Sequence, residues 1–575
     1  MDILFVDGFQ QSSIRHFPVG INLLSAIINK NSNYTSEVIS FPNLLAEKKV
    51  PNNILLEKDY ETIVKYILNM EPKIISFYTL GTSFFISLTI AKNIKKLNKN
   101  IKIILAGPHV SLCSKETLKT FDFIDMIAVG EGEQNVISIL DYFNGKEEIS
   151  NIKGICYRKS NEVLCNEPGP LLQDLDQLPM LELKDEGLLR INIESGRGCP
   201  YNCTFCCTKT FWKRKVRLKS TNRILDEIKH YVNRYNIKKF DFTHDLFTAN
   251  KKYILEVCNK IIEMKMDIEW TCSARADTLD EEIISFMGRA GCKKILLGIE
   301  TGSQRMQKVI NKNLDMSQVK KTIGLIQKHN IEIQINFIYG LPTEEEVDLL
   351  KSLNLIRYCV EELSIKETTI FKCMCFPSTQ IYRTERRHLV FNEENFHLFK
   401  YPAKNHMEWI KKYPNLFSSM YIVNHALVDK YFYLDVFINH IYNYFTFMIP
   451  KTMKEIIAFY NNSLLDFYLA YKAEMKKMTT LLTRTIYYGD DLSHVREEMS
   501  KSIENFIKNT MKDDFIAQLY QFENEVMKVV LNENSISKTF DYDMLGYYEN
   551  HMRKKEKCQL TFEVTENKAV NIYKQ

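Results

Sequence analysis

The residues with the clearest chemical potential lie at 194–207, ESGRGCPYNCTFCC. Cys199, Cys203 and Cys206 follow a C-x3-C-x2-C spacing, which puts three thiols within eight residues. Thiolates this close can ligate three corners of a 4Fe–4S cube and leave the fourth iron without a protein ligand. An iron left open can take a substrate or cosubstrate, as a catalytic zinc does at its free position. Gly196 and Gly198 let the loop turn tightly beside the thiols. The spacing alone also admits a structural zinc site or a chance group of core thiols. Zinc commonly takes two separated ligand pairs, and no second pair stands out. Cys207 adjoins Cys206, and adjacent cysteines seldom point at one ion.

Such a loop needs a scaffold, and the flanking sequence predicts one. Strand-like runs RINIES, KKFDFTH, DIEWTCS, KKILLGIE, IEIQINFIYG and LSIKETTIF alternate with helical patterns such as 223–235 and 251–264. Six βα units predict a (βα)6 partial TIM barrel over 190–386, with the cysteines on the loop leaving its first strand. Upstream, ILFVD, SEVISF, KIISFY, IKIILAG and IDMIAVG alternate with helical patterns such as 20–30 and 82–97. They predict a Rossmann/flavodoxin-like α/β domain over 1–148, with ligands at the strands' C-terminal ends. A linker at 149–189 contains a hairpin pattern, GICYRKSNEVLCNEP. From 387 to 575 the strand signal fades, and the spacing predicts an α-helical domain ending in a strand-like tail, LTFEVTENKAVNIY.

Composition narrows the class. The 575 residues are 45% hydrophobic and 26% charged, which allows three or four domains and excludes a disordered chain or a collagen. A net charge of +5 demands no polyanionic partner. The 14 cysteines are scattered and no signal-peptide pattern opens the chain, so a reduced, cytoplasmic setting is expected. The most apolar stretch, 431–449, carries Asp435, Asn439, His440 and Asn443, which predicts an amphipathic helix and no membrane span.

C-x3-C-x-aromatic-C, with Phe205 in the aromatic place, resembles the signature of the radical S-adenosylmethionine (AdoMet, SAM) superfamily. Further motifs follow in the order this resemblance implies. THDLFT (243–248) is similar to the acidic segment after the second strand, and implies Asp245 as a contact for the AdoMet amino group. Many relatives carry two acids there, where this chain has His244-Asp245. CSAR (272–275) implies Ser273 for the ribose and Arg275 for the carboxylate, and GIETGS (298–303) implies Glu300 for the ribose or methionyl end. FIYGLPTEEE (337–346) resembles the turn near the adenine, and FPST (376–379) a Pro-Gly-Thr turn with Ser378 replacing Gly.

The first domain resembles the cobalamin-binding domain of one large radical SAM subfamily, the class B methyltransferase-like enzymes. FPVGINLLSA (17–26), LAGPHVS (105–111) and VGEGEQ (129–134) carry the likeness. It implies cobalamin contacts at Ser76, Gly107, Gly130, Glu131 and Gly132. The Asp-x-His-x-x-Gly motif is absent from VDGFQQS, as in most relatives, so the resemblance implies cobalamin without a histidine below cobalt. The usual Gly-Gly pair is Ala106-Gly107 here. His16 and His109 are better read as surface or hydrogen-bonding residues than as ligands.

Two other groups stand out. Lys213, Arg214, Lys215, Arg217 and Lys219, next to Phe211 and Trp212, form the densest basic cluster, read first as a solvated run and second as a contact to an anionic group. Cys373 and Cys375 read as buried thiols. The resemblance implies a 4Fe–4S cluster, AdoMet and cobalamin as cofactors. It implies methylation of an unactivated carbon of a peptide or small natural-product intermediate through a 5′-deoxyadenosyl radical and methylcobalamin. A flavodoxin or ferredoxin would supply single electrons. A cyclisation or rearrangement without methyl transfer is the alternative. A non-catalytic cobalamin or metal sensor that binds nucleic acid is more distant, because one basic patch without a recognition fold is weak evidence.

Overall fold

The structure, a computed structural model, describes residues 1–7, 17–51, 60–160, 162–184, 187–394, 406–488, 492–532, 536–551, 553–564 and 570–574. His16 lies outside the described residues. The chain forms two compact units, principally Met1–Glu344 with Lys372–Ala426, and Glu345–Phe371 with Leu427–Thr485 and Asp490–Gln575.

The first unit opens with β1 (Ile3–Val6), β2 (Ser36–Ile39), β3 (Ile74–Tyr78), β4 (Lys102–Ala106) and β5 (Met126–Ala128). These are the five runs read from the sequence. β1 is buried at every position, the pattern of a parallel strand covered on both faces. The sheet order is β2-β1-β3-β4-β5, parallel throughout, which is the flavodoxin-like winding. The linker hairpin, β6 (Ile155–Lys159) and β7 (Glu162–Cys165), continues the sheet antiparallel. The expectation of unbridged cysteines is corrected at one place. Cys156 and Cys165 face each other across the hairpin, 4.0 Å apart at Cα, and form a disulfide. Register in the sheet brings them together, which scattered positions in a sequence do not reveal.

The second sheet holds β8 (Arg190–Glu194), then, after a two-stranded ribbon of β9 (Gly196–Arg197) and β10 (Arg217–Leu218), β11 (Lys239–Thr243), β12 (Glu269–Ala274), β13 (Cys292–Glu300) and β14 (Glu332–Tyr339). β8 and β11–β14 pair in parallel in chain order, and a further strand, β15 (Glu367–Lys372), follows them in the chain. The intervening helices start where side chains can cap them. Ser220, Asn250, Asp280 and Asp315 accept backbone N–H bonds at the starts of Thr221–Tyr235, Lys251–Glu263, Glu281–Arg289 and Met316–Lys328.

The compact units divide differently from the 386/387 boundary read from the sequence. Ile410, Leu416, Phe417, Met420 and Tyr421 share one apolar core with Phe84, Phe85 and Ile90 of the helix Phe84–Leu97. In the second unit, Asn439 Oδ1 accepts from Ile370 N at 2.8 Å, and its Nδ2 donates to Ile370 O at 2.9 Å. Asn443 Nδ2 donates to Thr368 O, and its Oδ1 accepts from the Thr368 hydroxyl at 3.0 Å. Two amides one helical turn apart thus satisfy alternate backbone groups of β15, which explains the polar residues inside the apolar stretch 431–449. Among the described residues no helix is long and apolar enough to cross a membrane. The C-terminal tail is three antiparallel strands, Ile536–Phe540, Cys558–Val564 and Val570–Lys574.

His109 belongs to the core. Its ring lies 4.6 Å from that of Phe84, and Nε2 donates to Leu416 O at 3.0 Å. Burial drives its pKa down to about 4 against the opposing carbonyl bond. The unfolded chain takes up this proton at about pH 6.5, so stability is full above that pH and falls as pH drops toward 4. We expect a loss of about 3 kcal/mol over that window, read as a falling urea midpoint, and a flatter profile in His109→Gln.

Candidate functional site: a thiol loop and a cofactor cavity

The cysteine loop leaves the end of β8 through β9. Cys199, Cys203 and Cys206 are half-buried free thiols. Burial raises the pKa of Cys199, and the neighbouring Cys206 and Cys203 raise it further. Cys203 is also raised by burial, while Lys312 and Arg275 pull the other way. The three sulfurs are therefore close enough to repel one another when ionised. Among the described residues no three Cys, His, Asp or Glu side chains form a ready cage for a metal ion. Three neighbouring thiols on one loop fit the cube.

Six contacts set the loop's path. Gly198 N donates to Asp245 Oδ2 at 2.8 Å, and the buried His244 donates from Nε2 to Gly198 O at 2.9 Å. Thr204 N donates to Ile310 O at 3.0 Å, and Thr204 O accepts from Ile381 N at 3.2 Å. Asn311 Nδ2 reaches Asn202 O, and Arg214 Nε reaches Pro200 O. Phe205 packs on a small core containing Met306, Ile310, Cys373 and Cys375. Cys375 is pushed up to about 12 by burial, so this pair consists of core thiols, as read from the sequence. Gly198 has φ +93°, and a Cβ there would stand 2.0 Å from Lys215 O. No other residue fits at that position.

The expected AdoMet residues gather around this loop, with partners the sequence did not show. The Arg275 guanidinium lies 3.6 Å from the Tyr201 ring and forks onto Asp277 at 2.9 Å through Nε and Nη2. Nη2 also donates to Lys312 O at 2.7 Å, and Nη1 points at Cys203 Sγ, 3.9 Å away. Glu300, at φ +70° beside a β-bulge, accepts from Lys312 Nζ at 2.7 Å. A Cβ on Gly298 would strike this pair, 2.4 Å from Glu300 Oε1 and 2.9 Å from Lys312 Nζ. Ser273 lies on β12, two residues beyond Thr271 and on the same face. Lys312 was missed in the sequence, since a lone lysine in NKN carries no pattern.

The second feature is a cavity of about 270 Å³ against one face of the first sheet. Ile3, Phe5, Ser76, Tyr78, Ile104 and Ala106 supply one wall, alternate residues of β1, β3 and β4. Ile21 and Leu24 of Val19–Asn31 and Val136 and Ile139 of Val136–Phe143 supply the other. All five residues implied for cobalamin (Ser76, Gly107, Gly130, Glu131 and Gly132) line it. An added Cβ at Gly20 or Gly130 would meet nothing within 4 Å. Both glycines line the void, so the missing side chains leave it open for a ligand. The fit to a buried organic tail is good on shape and apolarity.

Arg197 borders this cavity and stands two residues before Cys199. Its Nη1 meets Glu131 at 2.6 Å, Nη2 meets Glu133 at 2.6 Å, and Nε meets Glu194 at 2.8 Å. Glu131 also accepts from Arg217 Nη1 at 2.9 Å and from Leu172 N at 2.7 Å. Burial works to raise Glu131, yet Arg217 and Arg197 hold it below the usual carboxylate range. Glu131 therefore has both oxygens engaged by protein while it also lines the cavity. The basic cluster divides as well. Arg217 and Lys219 are buried in pairs with Glu131 and Glu227, while 213–215 are exposed.

Comparison with known proteins agrees with this geometry. The profile of the Radical SAM superfamily matches residues 193–356, and that of the B12 binding domain matches residues 12–140. The chain is a B12-binding radical SAM enzyme. Its cofactors are a 4Fe–4S cluster, AdoMet and cobalamin. It is 25% identical over 420 residues to an uncharacterized methyltransferase of Pyrococcus horikoshii, covering 72% of this chain and 90% of that protein. It is 25% identical over 310 residues to the anaerobic magnesium-protoporphyrin IX monomethyl ester cyclase of Cereibacter sphaeroides, covering half of each. The fold is similar to that of the cobalamin-dependent radical enzyme OxsB with aqua-cobalamin bound. The TM-score is 0.62 at 16% identity, over 91% of this chain and 80% of that one.

Two substitutions test the site. Gly198→Ala should reduce iron and sulfide after anaerobic reconstitution to a small fraction of wild type, with far-ultraviolet circular dichroism preserved. Glu131→Gln, which strips the charge facing two buried guanidiniums, should cost about 3–5 kcal/mol in urea unfolding and lower cobalamin retention.

Proposed function

We propose that the chain is a cobalamin-dependent C-methyltransferase acting on an unactivated carbon of a peptide or natural-product intermediate. The observation that carries this reading is the shared wall: Arg197 borders the cavity and leads directly into the cysteine loop. Two cofactor sites that must serve one substrate are thus built on adjacent peptide units. When bound, the cofactors supply a one-electron cleavage of AdoMet for hydrogen abstraction and a cobalt-carried methyl group.

The chain's own residues position and shield. Cys199, Cys203 and Cys206 hold the cluster, and Asp245 with His244 fixes the peptide before Cys199. The exposed side of Asp245 suits an ammonium group, and Arg275 Nη1, left over from the fork onto Asp277, suits a carboxylate. Ser273 and the second carboxylate oxygen of Glu300 are placed for ribose hydroxyls, and Phe205 secures the loop from beneath. Ser76, Gly107, Gly130 and Gly132 line the cobalamin slot, and Glu131 fixes its rim. A cytoplasmic setting that keeps the three loop thiols reduced, and a one-electron donor such as a flavodoxin or ferredoxin, belong to the same reading.

The likeness to the cyclase over half of its length favours a second reading, radical cyclisation or rearrangement without methyl transfer. AdoMet carrying a trideuterated methyl group separates the two. Methyl transfer predicts deoxyadenosine together with a product three mass units heavier than the one formed from unlabelled AdoMet, read by mass spectrometry. Deoxyadenosine with an unlabelled product would establish the second reading.

A further inference from the structure

The geometry points to the turn Lys213-Arg214-Lys215 as the docking face for an acidic one-electron carrier protein that reduces the cluster. This inference rests on the radical SAM reading, since only a redox cluster behind the turn gives it a use.

The turn is wrapped around Cys199. Arg214 Nε donates to the carbonyl of Pro200, the residue after Cys199, at 2.9 Å. Lys215 O packs against Gly198, the residue before it, so closely that only glycine fits. The backbone is held there under strain: Lys213 and Arg214 are successive non-glycine residues with φ of 53° and 59°. Each such residue costs about 1–2 kcal/mol, and strain of this kind collects at functional sites. All three side chains are exposed. Among the described residues neither Lys213 nor Lys215 has a carboxylate partner, unlike Arg217 and Lys219 of the same cluster. The carboxylate of Asp245 is engaged by Gly198 N and Thr208 Oγ1.

Three unneutralised cations on a rigid turn create a local positive potential that speeds encounter with an acidic partner. Contact there brings a donor to the peptide units on both sides of a cluster ligand. The electron balance is simple. An anionic flavin hydroquinone gives up one electron and becomes the neutral semiquinone, the oxidised cluster gains it, and no proton moves. A nucleic acid on the same turn would need contacts that three residues do not supply.

The test uses the anaerobically reconstituted full chain and a purified flavodoxin in its hydroquinone state, with semiquinone formation followed by stopped-flow absorbance. K213E/K215E should lower the second-order rate at least about tenfold at low ionic strength, and the gap should close at high salt. K213R/K215R should keep the wild-type rate. Reduction by dithionite should be equal in all three proteins, and calorimetry with oxidised flavodoxin should show binding weakened only in the Glu variant. Equal flavodoxin rates in wild type and K213E/K215E at low salt, or a parallel loss with dithionite, would overturn the docking face while leaving the enzyme reading intact. A wild-type chain that forms no reducible cluster would overturn both.

Discussion

A single guanidinium organises this protein. Arg197 takes three carboxylates from two parts of the chain: Glu131 and Glu133 from the loop after β5, and Glu194 from the end of β8. Its side chain is 5% exposed, as is that of Arg217, which shares Glu131. Opposite charges at such depth must be matched, because an unpaired buried charge is far more costly than the pair is favourable. The network therefore admits one arrangement of the first sheet against the start of the barrel. That arrangement sets the rim of the cavity and the direction in which the chain enters the cysteine loop.

The loop itself is governed by backbone contacts. His244 and Asp245 hold the two faces of the Gly198 peptide, and Ile310 and Ile381 hold those of Thr204. The thiols beside these clamps are left to their mutual repulsion, which iron would relieve by taking thiolates as ligands. The substitution of His for one acid in THDLFT is thereby explained. A carbonyl needs a donor, and the buried imidazole supplies it.

The strand β15 shows how an apolar-looking helix acquires polar residues. Asn439 pairs with the N–H and carbonyl of Ile370, and Asn443 donates to the Thr368 carbonyl and accepts from its hydroxyl, groups that would otherwise be left open on the strand. A hydropathy reading registers these residues only as breaks in an apolar run, whereas the contact explains their spacing of four.

How much could be read in advance follows from the range of the interactions. The strands of both sheets, the helices between them, the cysteine loop and the glycine turns of the cavity are local patterns, set by side-chain periodicity, capping and the freedom of glycine. These are visible in the one-dimensional chain. The partners of Arg275 and Glu300, the engagement of Glu131, the bridge between Cys156 and Cys165, and the packing of residues 410–421 on the first domain join distant positions. Their specificity resides in distances and burial, and a charged residue in a sequence is equally compatible with solvent or a counter-ion. The sequence by itself determined which chemistry the chain carries. Only the tertiary structure decided which charges are consumed within the fold and which, like Lys213 and Lys215, remain available to a partner, because burial and pairing exist only once the chain has closed on itself.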